Sequence, residues 1–124
     1  MRNYKQLDVW QKAHALTLII YHDTRAFPAD ERYGLTSQMR RACASIAANL
    51  AEGSGRRSDG EMARFIQIAM GSGAELSYHL LLAHDLGLLS AAQFGRLDAE
   101  LSSIMRMLNP LSQRIRTSLQ QPSF

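Results

Sequence analysis

Valine occurs once, at Val9, and no β-branched run alternates with polar residues, so signals for strands are nearly missing. A single cysteine, Cys43, excludes an internal disulfide and leaves no second thiol to share a structural zinc. The expected compartment is therefore the cytoplasm. No stretch approaches the ~18 consecutive apolar residues of a membrane span. The opening MRNYKQLDVW also lacks the apolar segment of a signal peptide. Charged residues make up only 20% of the chain, too few for a disordered, solvating polypeptide. No repeat, low-complexity run or linker divides the chain.

What remains is 124 residues, 46% of them apolar, which is enough for one domain with a real core. Three punctuation points divide it: Phe27-Pro28-Ala29-Asp30, the stretch Gly53-Ser54-Gly55-Arg56-Arg57-Ser58, and Gly87-Leu88-Leu89-Ser90. Between them the apolar residues recur at helical spacing. Over Leu7–Arg25, Val9, Ala13, Leu16 and Ile20 form one stripe. Leu7, His14, Leu18 and Tyr21 form a second, roughly 120° round at ~100° per residue. A helix needs one apolar face to pack inside its own bundle, so the second stripe predicts burial against another subunit. Over Tyr33–Glu52, Leu35, Met39, Ala42, Ile46 and Leu50 make a stripe, and Gly53 is read as a left-handed C-terminal stop.

The third segment opens on Ser58-Asp59-Gly60-Glu61 and the fourth on Ser90-Ala91-Ala92-Gln93, both capping boxes. Leu86-Gly87 ends the third. Its interior glycines, Gly71 and Gly73, predict a close helix crossing, since each costs up to ~1 kcal/mol against alanine. In the fourth, Leu97, Leu101, Ile104, Leu108 and Ile115 belong to one long seam, and Pro110 within it predicts a bend near Arg106. Four such segments with short connections predict an all-α, antiparallel up-down four-helix bundle over residues 1–119, with residues 120–124 as a frayed tail.

Chemistry is harder to find. A carboxylate-bridged di-metal bundle needs Glu-x-x-His pairs on two helices, and the chain has none. Its nearest approach is Glu75 with His79, four residues apart, while His14, His22 and His84 have no partner at ligand spacing. Cys43 sits in an alanine-rich interior where burial silences a thiol. The glycine-containing turn lacks the lysine and strand of a phosphate loop. No catalytic residue, metal or cofactor is expected, and the chain is read as a binding protein rather than an enzyme.

Charge supplies the positive indication. The chain carries 14 basic against 11 acidic residues, a net charge of +3. Only Lys5 and Lys12 are lysines, so twelve of the basic residues are arginines, whose planar fork matches phosphate oxygens. Arg40, Arg56, Arg57 and Arg64 fall in one cluster with Arg41. From Leu101 onward come Arg106, Arg114 and Arg116 with no acid among them. Such clusters are candidates for following the phosphate backbone of RNA or DNA.

Several blocks resemble a known family. Asp8-Val9-Trp10-Gln11-Lys12-Ala13 is similar to its opening L-x-V-W-Q-K-A. Phe27-Pro28 with Glu31-Arg32-Tyr33-Gly34-Leu35-Thr36-Ser37-Gln38 resembles its second block. Arg40-Arg41-Ala42, Ser45-Ile46 and Asn49-Leu50-Ala51-Glu52-Gly53 resemble its S-I-x-x-N-I-A-E-G block. Gly71-Ser72, Glu75-Leu76 and Leu86-Gly87 resemble a fourth. The family is the small bacterial four-helix bundle proteins, also called the S23 or intervening-sequence protein family. The accessory variability determinant of diversity-generating retroelements looks like a relative. Departures are Ala47 for a common proline, Gly73 for a larger apolar residue, and Gln6 for an acid.

The resemblance implies an up-down bundle, a homopentameric ring, and a role in binding nucleic acid or a nucleic-acid enzyme such as a reverse transcriptase, for which the ring would be a docking scaffold. It also implies that Arg41, Asn49, Glu52 and Glu75 form a buried interhelical network that fixes register.

Overall fold

The computed structural model describes residues 3–120, with side chains through residue 117. The four residues after these, and so nearly all of the expected frayed tail, lie outside the described part. Four α-helices make up the described chain: α1 (Asp8–Asp23), α2 (Leu35–Ser54), α3 (Asp59–Asp85) and α4 (Ala91–Gln120). Short 3-10 turns at Tyr4–Gln6, Thr24–Ala26 and Ala29–Glu31 precede α1 and link it to α2. There is no strand among the described residues.

The helices pack as a ring of neighbours: α2 lies against α1 and α3, and α4 closes the ring against α3 and α1. The faces turned inward are those the periodicity marks. Val9, Ala13, Leu16 and Ile20 from α1 are buried with Met39, Ile46 and Leu50 from α2. They meet Ile66, Leu76 and Leu80 from α3 and Leu97, Ile104 and Leu108 from α4. Apart from Ala13, each such side chain removed from water contributes on the order of 1.5–3 kcal/mol.

Helix ends follow local chemistry. At the start of α4 the Ser90 amide donates to Gln93 Oε1 at 3.0 Å and the Gln93 amide donates to Ser90 Oγ at 3.1 Å, a complete reciprocal box. At the start of α3 only the serine's half forms, with the Glu61 amide donating to Ser58 Oγ at 3.1 Å. Gly87 closes α3 at φ +77°, a left-handed conformation that glycine adopts without strain.

Three expectations are corrected. Gly53 is not a stop: it is buried inside α2, which runs on to Ser54, and its missing side chain admits Met62 and Phe65 of α3. The close crossing expected of Gly71 and Gly73 belongs to Gly73 alone. A Cβ there would lie 2.5 Å from Met105 Sδ, whereas one at Gly71 would meet nothing within 4 Å. The second helix begins at Leu35, leaving Tyr33 in the preceding turn and 88% exposed. Helix α4 continues through Pro110. No described helix is long and apolar enough to cross a membrane.

Candidate functional site

The antiparallel course gathers arginines that are far apart in sequence. Gly73 of α3 faces Met105 of α4. Nine residues back along α3 and nine residues on along α4 stand Arg64 and Arg114. At equal rise per residue the two lie at the same level. The Gly53–Phe65 contact brings the end of α2 to that level as well. Arg56, Arg57 and Arg64 at the α2–α3 turn thus share one end of the bundle with Arg114 and Arg116 of α4. All five are exposed.

Their side chains differ in commitment. Arg56 donates to Glu52 Oε1 at 2.7 Å, and its guanidinium stands 4.9 Å from the centre of the Phe65 ring. Arg64 approaches the same ring at 5.7 Å. Such contacts orient a guanidinium without consuming its hydrogen-bond donors. Arg57, Arg114 and Arg116 have no partner among the described residues. Arg106, also exposed, lines a groove of about 380 Å³ between α3 and α4, beside Gly73, Ser77 and Asp98.

Arg40 stands apart, at the opposite end of α2 and half-buried. Its Nε donates to Thr24 Oγ1 at 2.9 Å and its Nη2 to the Tyr21 carbonyl at 3.3 Å. Its plane lies 4.7 Å from the centre of the Tyr21 ring. Arg40 therefore holds the C-terminal turn of α1, whose last carbonyls need donors. It does not join the other arginines.

The expected network of Arg41, Asn49, Glu52 and Glu75 does not assemble within the chain. Arg41, Glu52 and Glu75 are exposed, and Glu52 is spent on Arg56. Glu75 Oε1 stands 4.0 Å from Nε2 of buried His79, one turn along α3. Asn49 turns back on its own helix, donating to the Ser45 carbonyl at 2.8 Å and lying 2.9 Å from Ser45 Oγ. The polar link between α2 and α3 is made by Ser45 and Ser72, whose hydroxyls are 2.8 Å apart. Sequence reading missed it, because two serines in different helices carry no joint spacing.

The second stripe of α1 lies on the surface of the chain. Leu18 is 59% and Tyr21 43% exposed, His14 is exposed, and Leu7 is half-buried. His14 stacks on Trp10 at 5.0 Å, and Tyr4 meets the same indole edge-on.

Among the described residues no group of three His, Cys, Asp or Glu side chains could hold a metal. Burial pushes the Cys43 thiol up to about 11, although Thr17 Oγ1 at 3.3 Å partly offsets this. Two arginines of the α1–α2 connection, Arg25 and Arg32, escaped the sequence reading. Both line a cleft with Arg40, and the signal was there: Arg32, Thr36 and Arg40 recur every four residues.

The fold has a solved counterpart. A crystal structure of a protein of unknown function from the S23 ribosomal protein family of Bacteroides thetaiotaomicron matches with a TM-score of 0.78 at 19% identity. The match covers 85% of this chain and 95% of that one. No curated protein matches the sequence. The family model described as 23S rRNA-intervening sequence protein matches residues 5–110. With both the helical blocks and the bundle in agreement, the chain belongs to the 23S rRNA-intervening sequence protein family.

Proposed function

We propose that the protein is a non-enzymatic, self-associating bundle that binds RNA or DNA through its arginine-rich end. One observation carries this reading: the antiparallel packing collects Arg56, Arg57, Arg64, Arg114 and Arg116, all exposed, at one end of the rod. Each guanidinium laid on a phosphate releases a condensed counterion, so binding gains from every contact and falls with salt. Self-association multiplies the contacts, because linked copies act at high effective concentration. The exposed stripe of Leu18 and Tyr21 supports association, and the expected assembly is a homopentamer.

Two measurements test the proposal. Anisotropy titrations with fluorescent single-stranded RNA and DNA should show affinity falling steeply as salt rises from about 50 mM. Absence of binding at that salt, or affinity indifferent to salt, overturns the nucleic-acid reading and leaves the protein-docking scaffold as the better one. Light scattering on a sizing column should give a mass near five times 13.9 kDa. Leu18→Glu should lower it, and a clean monomer in the unaltered protein overturns the ring.

A further inference from the structure

At the end of the bundle opposite the arginine cluster, the α1–α2 connection and the first turns of α2 enclose a cleft of about 420 Å³. The twenty residues of α2 put ~30 Å between this cleft and the cluster. Arg25, Arg32 and Arg40 line it, together with Thr24, Thr36 and an apolar wall at Phe27, and no acidic residue does.

Three observations point to an anion. First, the arginines are differently held. Arg40 is anchored by Thr24 and the Tyr21 carbonyl through two of its five N–H groups, so three donors remain on a fixed guanidinium. Arg25 and Arg32 are exposed, have no partner among the described residues, and are free to close over a bound group. Second, Thr36 lines the cleft and is only 7% exposed, yet its hydroxyl is buried without a hydrogen-bond partner. A buried hydroxyl left unpaired in the free protein is satisfied once an acceptor enters. Third, the cleft lies at the start of α2, where Gly34 provides no side-chain cap. Glu31 covers two of the four opening amides, its Oε2 accepting from the Leu35 amide at 3.0 Å and its carbonyl from the Gly34 amide at 3.1 Å, so the amides of cleft-lining Thr36 and of Ser37 are left without a partner among the described residues.

We infer that this cleft binds a phosphoryl group, gripped by Arg25, Arg32 and Arg40 with the Thr36 hydroxyl donating to one of its oxygens. Arginine's paired donors fit a tetrahedral oxyanion, and a phosphoryl group offers enough acceptors for three arginines at once. This site is separate from the arginine-rich end and stands or falls independently of it.

Titration of the full-length protein with inorganic phosphate, followed by calorimetry and by amide chemical shifts, tests the site. The expected result is saturable binding of one phosphate per chain, with the largest shifts at Thr24 and Thr36. The double variant Arg25→Gln/Arg32→Gln alters two exposed side chains outside the four α-helices and should keep the fold while weakening phosphate at least tenfold. Thr36→Val should weaken it severalfold and Thr36→Ser should restore it.

Short oligonucleotides separate the sources of the phosphoryl group. Tighter binding of a 5′-phosphorylated oligomer than its 5′-hydroxyl counterpart assigns a terminal monoester. Equal binding of the two, lost in the double variant, assigns a backbone diester. Phosphate shifts that do not saturate, or that persist unchanged in the double variant, overturn the site.

Discussion

Gly53 of α2 lies so close to Phe65 of α3 that a Cβ at residue 53 would sit 2.9 Å from the Phe65 Cβ. The obstructing atom is rooted on the backbone of α3, so the helices themselves would have to part. Gly53→Ala is expected to destabilise the bundle by about 1–3 kcal/mol, less the fraction regained through helix propensity. Gly71→Ala, with nothing within 4 Å, should instead stabilise by about 0.5–1 kcal/mol. Gly73→Ala faces the mobile thioether of Met105 and should fall between the two. Urea unfolding midpoints of the three variants check the order, and a stabilised Gly53→Ala would refute the close crossing.

The two N-terminal caps differ in completeness, and their removal should differ in cost. The double variant Ser90→Ala/Gln93→Ala removes both bonds of a reciprocal box and should lose about 1–2 kcal/mol. Ser58→Ala removes a single bond and should lose about 0.5–1 kcal/mol. Thermal unfolding of both variants decides the comparison. Equal losses would mean that the Gln93 return bond contributes nothing.

Cys43 couples stability to alkaline pH. Its thiol is fully buried and raised from 9.0 to about 11 by desolvation. The folded state therefore holds its proton where the unfolded chain gives it up. This contribution is intact below pH 9 and declines as pH rises from about 9 to 11, by about 2–3 kcal/mol in all. Comparing unfolding of the unaltered protein with Cys43→Ala across that range isolates the effect from other titrating groups. Parallel curves would show that the thiol does not titrate differently on folding. The same burial predicts slow reaction with thiol reagents at neutral pH until the protein is unfolded.

If the arginine-rich end follows a phosphate backbone, each exposed arginine in contact contributes separately to the salt dependence. Arg57→Gln and Arg114→Gln should each lower the slope of log affinity against log salt by about 1, and should weaken all nucleic-acid sequences alike. Anisotropy titrations at several salt concentrations read both effects.

Four helices, their inward faces and their capping serines were legible in the sequence because each depends on residues three or four apart in one segment. Val9, Ala13, Leu16 and Ile20 announce a buried face by spacing alone, and Ser90 with Gln93 announces a helix start. What each glycine does was decided only by packing. Gly53 reads as a stop in its own segment, and only the arrival of Phe65 makes it a crossing point. The same holds for charge. Sequence shows two arginine groups, but it took the antiparallel register to bring Arg64 level with Arg114, and it took the α1–α2 connection to set Arg25 and Arg32 beside Arg40. Periodicity is a property of one helix, whereas a site is made where helices meet.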